Sequence, residues 1–311
     1  MAHLSDRGQF LATLVVPAMR VISYGGGVQS TAMVIMAATH NAEFEAACGG
    51  PIDAALFSNV GDDSEHPATL DYVRNVMQPW ATEHDFPVEI LTRKDRNGND
   101  RTLYSDITTK ERLLAIPMPI RMANGAPGRR TCTVDYKVKV IHKWLKAHGA
   151  SSDDPAIQAI GISTDEFQRA SDRHEPFERR IYPLIAMGMS RQDCLNVPET
   201  VGLPTPGKSS CYFCPYHRPA VWSEMRRDEP ELFWKSVELE RKINETRSAS
   251  LVARKQEAEA AGDEWETTES PNVWLTRFNK PLDEAIGEAQ TQLPGFESIE
   301  ESGCDSGHCF T

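Results

Sequence analysis

The sequence predicts an α/β protein with a doubly wound, mostly parallel sheet, and two observations predict it. Short apolar runs at residues 19–24, 53–60, 87–91 and 155–163 alternate with stretches of helical spacing at 32–38, 69–84 and 136–148. Strands that alternate with helices return each strand parallel to the one before. A glycine run, Gly25-Gly26-Gly27, also joins the first strand directly to the first helix. In such sheets ligands lie beyond the carboxyl ends of the strands, where this glycine turn falls.

Taken in order, Met19-Arg20-Val21-Ile22-Ser23-Tyr24 reads as a buried strand and Ala32 to Ala38 as the helix after it. Asp53 to Val60 is the second strand. Leu70, Val73, Met77 and Trp80 give the stretch from Thr69 to His84 a helical period, and Pro87 to Leu91 reads as the third strand. Asp95 to Gly128 is polar and irregular, which is expected of a mobile lid or substrate loop. Tyr136 to His148 is an amphipathic helix and Pro155 to Ser163 a further strand. From Glu229 the composition changes, and Phe233 to Ala261 reads as a long charged helix, broken near Ser248, with one face packed on the core. The chain therefore divides into a nucleotide-binding domain at 1–225 and a helical extension with a cysteine-containing tail at 226–311. It has no internal repeat.

The chain of 311 residues carries a net charge of −12. That balance counts against a generic polyanion binder, because non-specific nucleic-acid affinity comes from neutralised phosphates. The acid is concentrated late, at 257–269 and 297–305, away from Arg121, Arg129, Arg130, Lys137 and Lys139. No apolar stretch has the roughly 18–20 residues of a membrane helix. Met1 to Val16 lacks the layout of a secretion signal, so no membrane partner and a cytoplasmic location are expected. Seven cysteines, an odd number, do not suggest a disulfide framework in such a chain; their clustering suggests metal or redox chemistry.

Three glycines let the backbone at Gly25-Gly26-Gly27-Val28-Gln29-Ser30-Thr31 turn tightly and approach an anion. The Ser-Thr pair sits at the helix start, where free N–H groups and the helix dipole favour phosphate. The run is neither a Walker A loop nor a dinucleotide fingerprint. Later in the chain, Cys211-Tyr212-Phe213-Cys214-Pro215-Tyr216-His217 offers two thiolates two residues apart, which suits zinc, a cluster or a redox dithiol. Arg129, Arg130 and Arg169 are bidentate donors suited to phosphate. Asp62, Asp63 and Glu166 are carboxylates suited to Mg²⁺ beside a triphosphate. Cys48 and Cys194 read as structural.

The glycine turn resembles the PP-loop of the ATP pyrophosphatase superfamily, Ser-Gly-Gly-x-Asp-Ser-Ser/Thr. Gly26, Gly27, Ser30 and Thr31 match it, while Gly25 replaces the first Ser and Gln29 replaces the Asp. The resemblance implies a Rossmann-like adenine nucleotide alpha hydrolase fold and a phosphate site spanning Ser23, Tyr24, Gly25, Gly26, Gly27, Val28, Gln29, Ser30 and Thr31. Two cysteine segments resemble the iron–sulfur type of adenylylsulfate reductase. Cys132 and Lys137 match the first of them; Cys211, Cys214, Arg218 and Pro219 match the second, and Thr133 replaces a cysteine. This implies a [4Fe–4S] cluster, with zinc as the alternative, on Cys132, Cys211 and Cys214, and with His217 or a tail cysteine as the fourth ligand. The segments 59–69, beginning at Asn59, and 161–169, together with Tyr182-Pro183-Leu184, resemble further phosphosulfate reductase motifs.

The expected function is that of a PP-loop enzyme of the phosphoadenosine phosphosulfate reductase-like superfamily. It would bind ATP and Mg²⁺, form AMP and pyrophosphate, and support sulfur transfer to nucleic acid, with DNA or tRNA as acceptor. A cysteine desulfurase or thioredoxin is the implied protein partner. The retained double glycine favours this expectation. The alternative is a sulfonucleotide reductase releasing sulfite, with Cys304 or Cys309 as nucleophile beside His308; Gln29 and the tail favour it. A third reading is a non-catalytic, metal-stapled nucleotide-binding module.

Overall fold

The structure, a computed structural model, describes residues 19–171, 173–263, 270 and 272–287. Its elements run in the order β1 (Arg20–Tyr24), α1 (Val28–Ala38), α2 (Ala42–Cys48), β2 (Ala54–Asn59), α3 (Pro67–Asp71), a π-helical turn at Tyr72–Met77, α4 (Gln78–Glu83) and β3 (Val88–Thr92). Next come α5 (Leu103–Thr108), β4 (Arg121–Met122), α6 (Thr131–Thr133), a second π-helical turn at Val134–Val138, α7 (Lys139–Ala147) and β5 (Ala156–Ile160). A 3-10 turn at Thr164–Arg169 leads to β6 (Glu178–Ile181), α8 (Pro183–Ala186), α9 (Arg191–Thr200), α10 (Pro219–Asp228), α11 (Pro230–Ala261), β7 (Val273–Trp274) and α12 (Leu282–Ala285).

The central sheet has five strands in the order β3-β2-β1-β5-β6, every neighbour parallel, as a Rossmann-like α/β fold requires. Alternate residues of one strand face opposite layers: Ile22 and Tyr24 pack with α1, while Val21 packs with Ile141 and Leu145 of α7. All eleven residues of α1 are buried, so this helix has no solvent face. It starts at Val28, four residues earlier than the sequence suggests, because Gly27 serves as its N-cap. Pro79 has no N–H to give to the carbonyl one turn back, and it stands where the first π turn hands over to α4.

A second core forms beyond the sheet. Val60, Leu103, Ile107, Leu113, Tyr136, Phe213, Trp222, Phe233, Leu239 and Ile243 make one buried cluster. Two expectations are corrected here. The segment 95–128 is irregular apart from α5 and the short β4, but it is no open lid: it buries Leu103, Ile107, Leu113, Met118 and Ile120 in this core. The long helix has no break near Ser248; α11 runs continuously for 32 residues. The strand β6 and helices α8 to α10 lie in a region the sequence reading left without regular structure.

Two polar side chains of α11 hold the chain that follows it. Asn244 exchanges hydrogen bonds with the backbone of Val273, and the Glu240 carboxylate accepts from the amides of Leu275 at 2.6 Å and Leu282 at 2.8 Å. Burial pushes the Glu240 carboxyl up to about 7, against the opposing pull of those amides. A folded-state value above the unfolded one means the folded chain binds the proton more tightly. The stability this group contributes is therefore present at low pH and lost as pH rises through about 7. In urea denaturation, wild type minus Glu240→Gln stability is expected to fall by on the order of 1–3 kcal/mol between pH 5 and pH 8. A difference independent of pH would show that Glu240 does not titrate in this range.

Candidate functional site

β1 has parallel neighbours on both sides, β2 and β5, and the glycine turn leaves the carboxyl end of β1 at that division. Gly26 has φ +73°, and a Cβ there would stand 2.9 Å from Thr69 Cγ2. Gly161, just past β5, lies so close to the start of α1 that its Cβ would stand 3.1 Å from the Ser30 amide nitrogen. Glycine at both places lets two loops close around the amino end of α1. No side chain caps that end, so its first-turn amides have no intrahelical acceptor.

The neighbouring side chains brace the turn. Ser30 Oγ donates to the Gly27 carbonyl and accepts from the Gly25 amide, each at 3.1 Å. Tyr24 is buried against Phe57 and its hydroxyl accepts from Thr31 Oγ1, while Ser23 Oγ accepts from Gln158 Nε2. Val28 is buried as well. The sequence predicts these residues at a phosphate site; in the structure their side chains brace the turn and the start of α1.

Gln29 has a specific environment. Its Nε2 donates to Glu166 Oε2 at 3.4 Å, and its Oε1 accepts from Arg191 Nη1 at 3.0 Å. Arg169 donates to the same Glu166 oxygen at 2.5 Å, and Asp165 accepts from the Arg191 amide. An amide at position 29 thus satisfies a carboxylate and a guanidinium together. An aspartate there would face Glu166 with a second negative charge. Burial pushes the Glu166 carboxyl up, against the pull of Arg169 and Arg191. The Nε of Arg169 is buried with no hydrogen-bond acceptor among the described residues, and the arginine itself is 8% exposed. Two guanidiniums and two carboxylates, with the neutral Gln29 amide between them, therefore stand beside the start of α1.

The carboxylates that follow β2 are already engaged. Asp62 accepts two hydrogen bonds from Arg74 and one from Asn59, and the Arg74 guanidinium holds its carboxyl below the usual range. Asp63 accepts from Thr102 and Ser64. Glu65 is fully buried and lies 3.3 Å from Lys137 Nζ. Among the described residues, no group of three or more His, Cys, Asp or Glu side chains stands close enough to hold a metal ion.

The cysteine segments join the glycine turn through Ser209. Its Oγ donates to the Gly25 carbonyl. The next residues run antiparallel to the loop after β2: His66 donates to the Ser210 carbonyl, Tyr212 donates to the Ser64 carbonyl, and Glu65 is bridged to Cys211. Cys132 lies in α6 and packs, with Cys211, against the second core. Arg130 stands over the Tyr216 ring, so the 130–137 and 211–216 segments abut. Cys132, Cys211 and Cys214 are half-buried; thiols are the donor type that a cluster or zinc takes, but these three do not stand together as a ligand group. His217 Nε2 lies 3.0 Å from the Cys211 carbonyl, which can only accept, so that nitrogen carries the proton. Arg129 is exposed. Cys48 and Cys194 are buried, and burial pushes both thiols up to about 12, as befits packing residues. Cys304 and Cys309 lie outside the described residues.

Arg74, Arg191, Glu65 and Ser209 belong to this site without having been named as site residues from the sequence. Two carried a signal: Glu65 lies within the 59–69 motif, and before Arg191 the Ser190/Asp193 capping box marks a helix start. Gln29→Asp is expected to weaken pyrophosphate or ATP binding about tenfold in calorimetric titration, or ~1.4 kcal/mol. Equal or tighter binding would show that a second carboxylate beside Glu166 does not matter to the anion. Gly26→Ala is expected to cost about 1–3 kcal/mol in thermal unfolding, because its φ and its contact with Thr69 both oppose a Cβ.

No protein-family model, curated protein or solved structure matches this chain.

Proposed function

We propose that this chain is an ATP-dependent enzyme of the PP-loop type that activates a nucleic acid for sulfur transfer, releasing pyrophosphate and AMP. The observation that carries the reading is the bond from Ser209 to Gly25, which ties the thiol-bearing segment to the turn where a nucleotide's phosphates would lie. In this reading the amides at the start of α1 receive the triphosphate, and Arg169 and Arg191 stabilise the charge that develops as it breaks. An acceptor oxygen attacks the α-phosphorus and pyrophosphate leaves. Sulfide then displaces AMP from the activated position. Mg²⁺ and its water would be met by Asp62, Asp63 and Glu166, each of which already accepts hydrogen bonds from neighbouring side chains. Cys132, Cys211 and Cys214 would hold an iron–sulfur centre, which supplies a place for sulfur to bind.

The neutral side chain at Gln29 favours one rival, reduction of adenylylsulfate or its 3′-phosphorylated form to sulfite. One experiment separates the two. Anaerobically purified protein is incubated with ATP and DNA or tRNA, and pyrophosphate is measured alongside sulfur incorporation by mass spectrometry. Arg169→Gln is expected to slow pyrophosphate release about a hundredfold. Cys211→Ser is expected to abolish sulfur incorporation while sparing pyrophosphate release. Sulfite from adenylylsulfate with thioredoxin, lost in Cys304→Ser or Cys309→Ser, would replace this reading with the reductase.

A further inference from the structure

The two cysteine segments also bring together a pair of arginines that no carboxylate neutralises among the described residues. Arg121, in β4, and Arg130, at the cap of α6, have their guanidinium carbons 5.9 Å and 5.7 Å from the centroid of the Tyr216 ring. A π face attracts a guanidinium without cancelling its charge or accepting its full set of N–H bonds. Arg121 Nε and Arg130 Nη2 are buried atoms with no hydrogen-bond acceptor among the described residues, and Arg130 Nε alone is served, by Thr133 Oγ1 at 3.2 Å. Five-donor forks held rigidly on an aromatic ring, with donors left over, match the oxygens of a phosphate.

The surroundings extend this beyond one phosphate. The chain as a whole has 45 acidic residues against 33 basic ones, yet residues 112–134 and 201–223 contain no Asp or Glu. Those two stretches carry Cys132 and the Cys211/Cys214 pair, together with Arg121, Arg129 and Arg130. Arg112, at the edge of the first stretch, is engaged by Glu257 and is not part of the strip. Two stretches without carboxylates, on a chain that is acidic overall, favour one place over the rest of the protein for a run of phosphates.

We infer that Arg121, Arg130 and Tyr216 form a docking ledge for the phosphodiester backbone of the nucleic-acid acceptor, laying it beside the half-buried thiols. This rests on the proposed function in taking a nucleic acid as acceptor. The ledge positions the substrate and takes no part in bond making. A terminal phosphate of a mononucleotide presents the same chemistry, and the measurement separates the two sources.

The test is fluorescence anisotropy of labelled DNA and RNA oligonucleotides against salt, with calorimetric titration of ATP on the same samples. The double variant Arg121→Gln/Arg130→Gln is expected to bind oligonucleotide at least about tenfold more weakly. It should also lose about two from the slope of log affinity against log salt, with ATP binding unchanged. Tyr216→Leu should weaken oligonucleotide binding in the same direction, whereas Tyr216→Phe, which keeps the ring, should not. Far-ultraviolet circular dichroism and melting temperature confirm that each variant is folded. The assignment fails if wild type binds no oligonucleotide, or if the double variant binds like wild type. Loss of ATP affinity with oligonucleotide binding intact overturns it in favour of a mononucleotide phosphate. Oligonucleotide binding through the ledge without pyrophosphate release would remove the proposed reaction and leave the ledge standing.

Discussion

Strand β1 is bonded to parallel partners on both sides, and most of the molecule follows from that. A parallel strand cannot be reached by a tight hairpin, so each neighbour needs a crossover. The crossover to β2 is short and helical. The one from β3 on the far edge back to β5 must pass over β2 and β1, and the chain between residues 93 and 155 does so. This passage builds the second core and delivers Cys132 and Lys137 above the carboxyl ends of the strands. The buried start of α1, the loop after β2 and the turn after β5 converge there for the same reason.

Continuity between the glycine turn and the thiols depends on very few bonds. Ser209 reaches Gly25, and the residues that follow complete a short ladder with Ser64, Glu65 and His66. The ladder is buttressed from the other side by the buried Lys137–Glu65 pair, a charge pair whose burial is costly unless its geometry is kept. The second core lies behind it, so the helical extension is packed against the wall of the site. Phe233, Leu239 and Ile243 share one cluster with Val60 and Phe213.

The parts legible in the sequence are those where one local rule decides. A run of glycines between an apolar strand and an apolar helix leaves few alternatives, and β1 and α1 lie where that run puts them. The edge strand β6 was not legible because Glu178-Arg179-Arg180-Ile181 is mostly charged, and the buried Glu178 is met by His142, Arg180 and the Glu175 amide. The helix α9 was hidden by its polar composition and by Pro198 inside it. The 95–128 stretch looked irregular because its five buried apolar residues find partners far along the chain. Gln29 departs from the motif it resembles, and its reason lies 137 and 162 residues away, in Glu166 and Arg191.

The two π turns have a common geometry. The first carries Arg74, which holds Asp62, and the second carries Lys137, which pairs with Glu65. Both partners sit in the single loop after β2. A π turn contains one residue more than an α-helical turn, and each residue advances a helix by about 100°. Each turn therefore acts as an indexing step: the helix before it keeps one register against the core, while the extra residue swings a cation toward the loop. A single deletion in either turn would restore an ordinary helix and point that cation into a different layer of the fold.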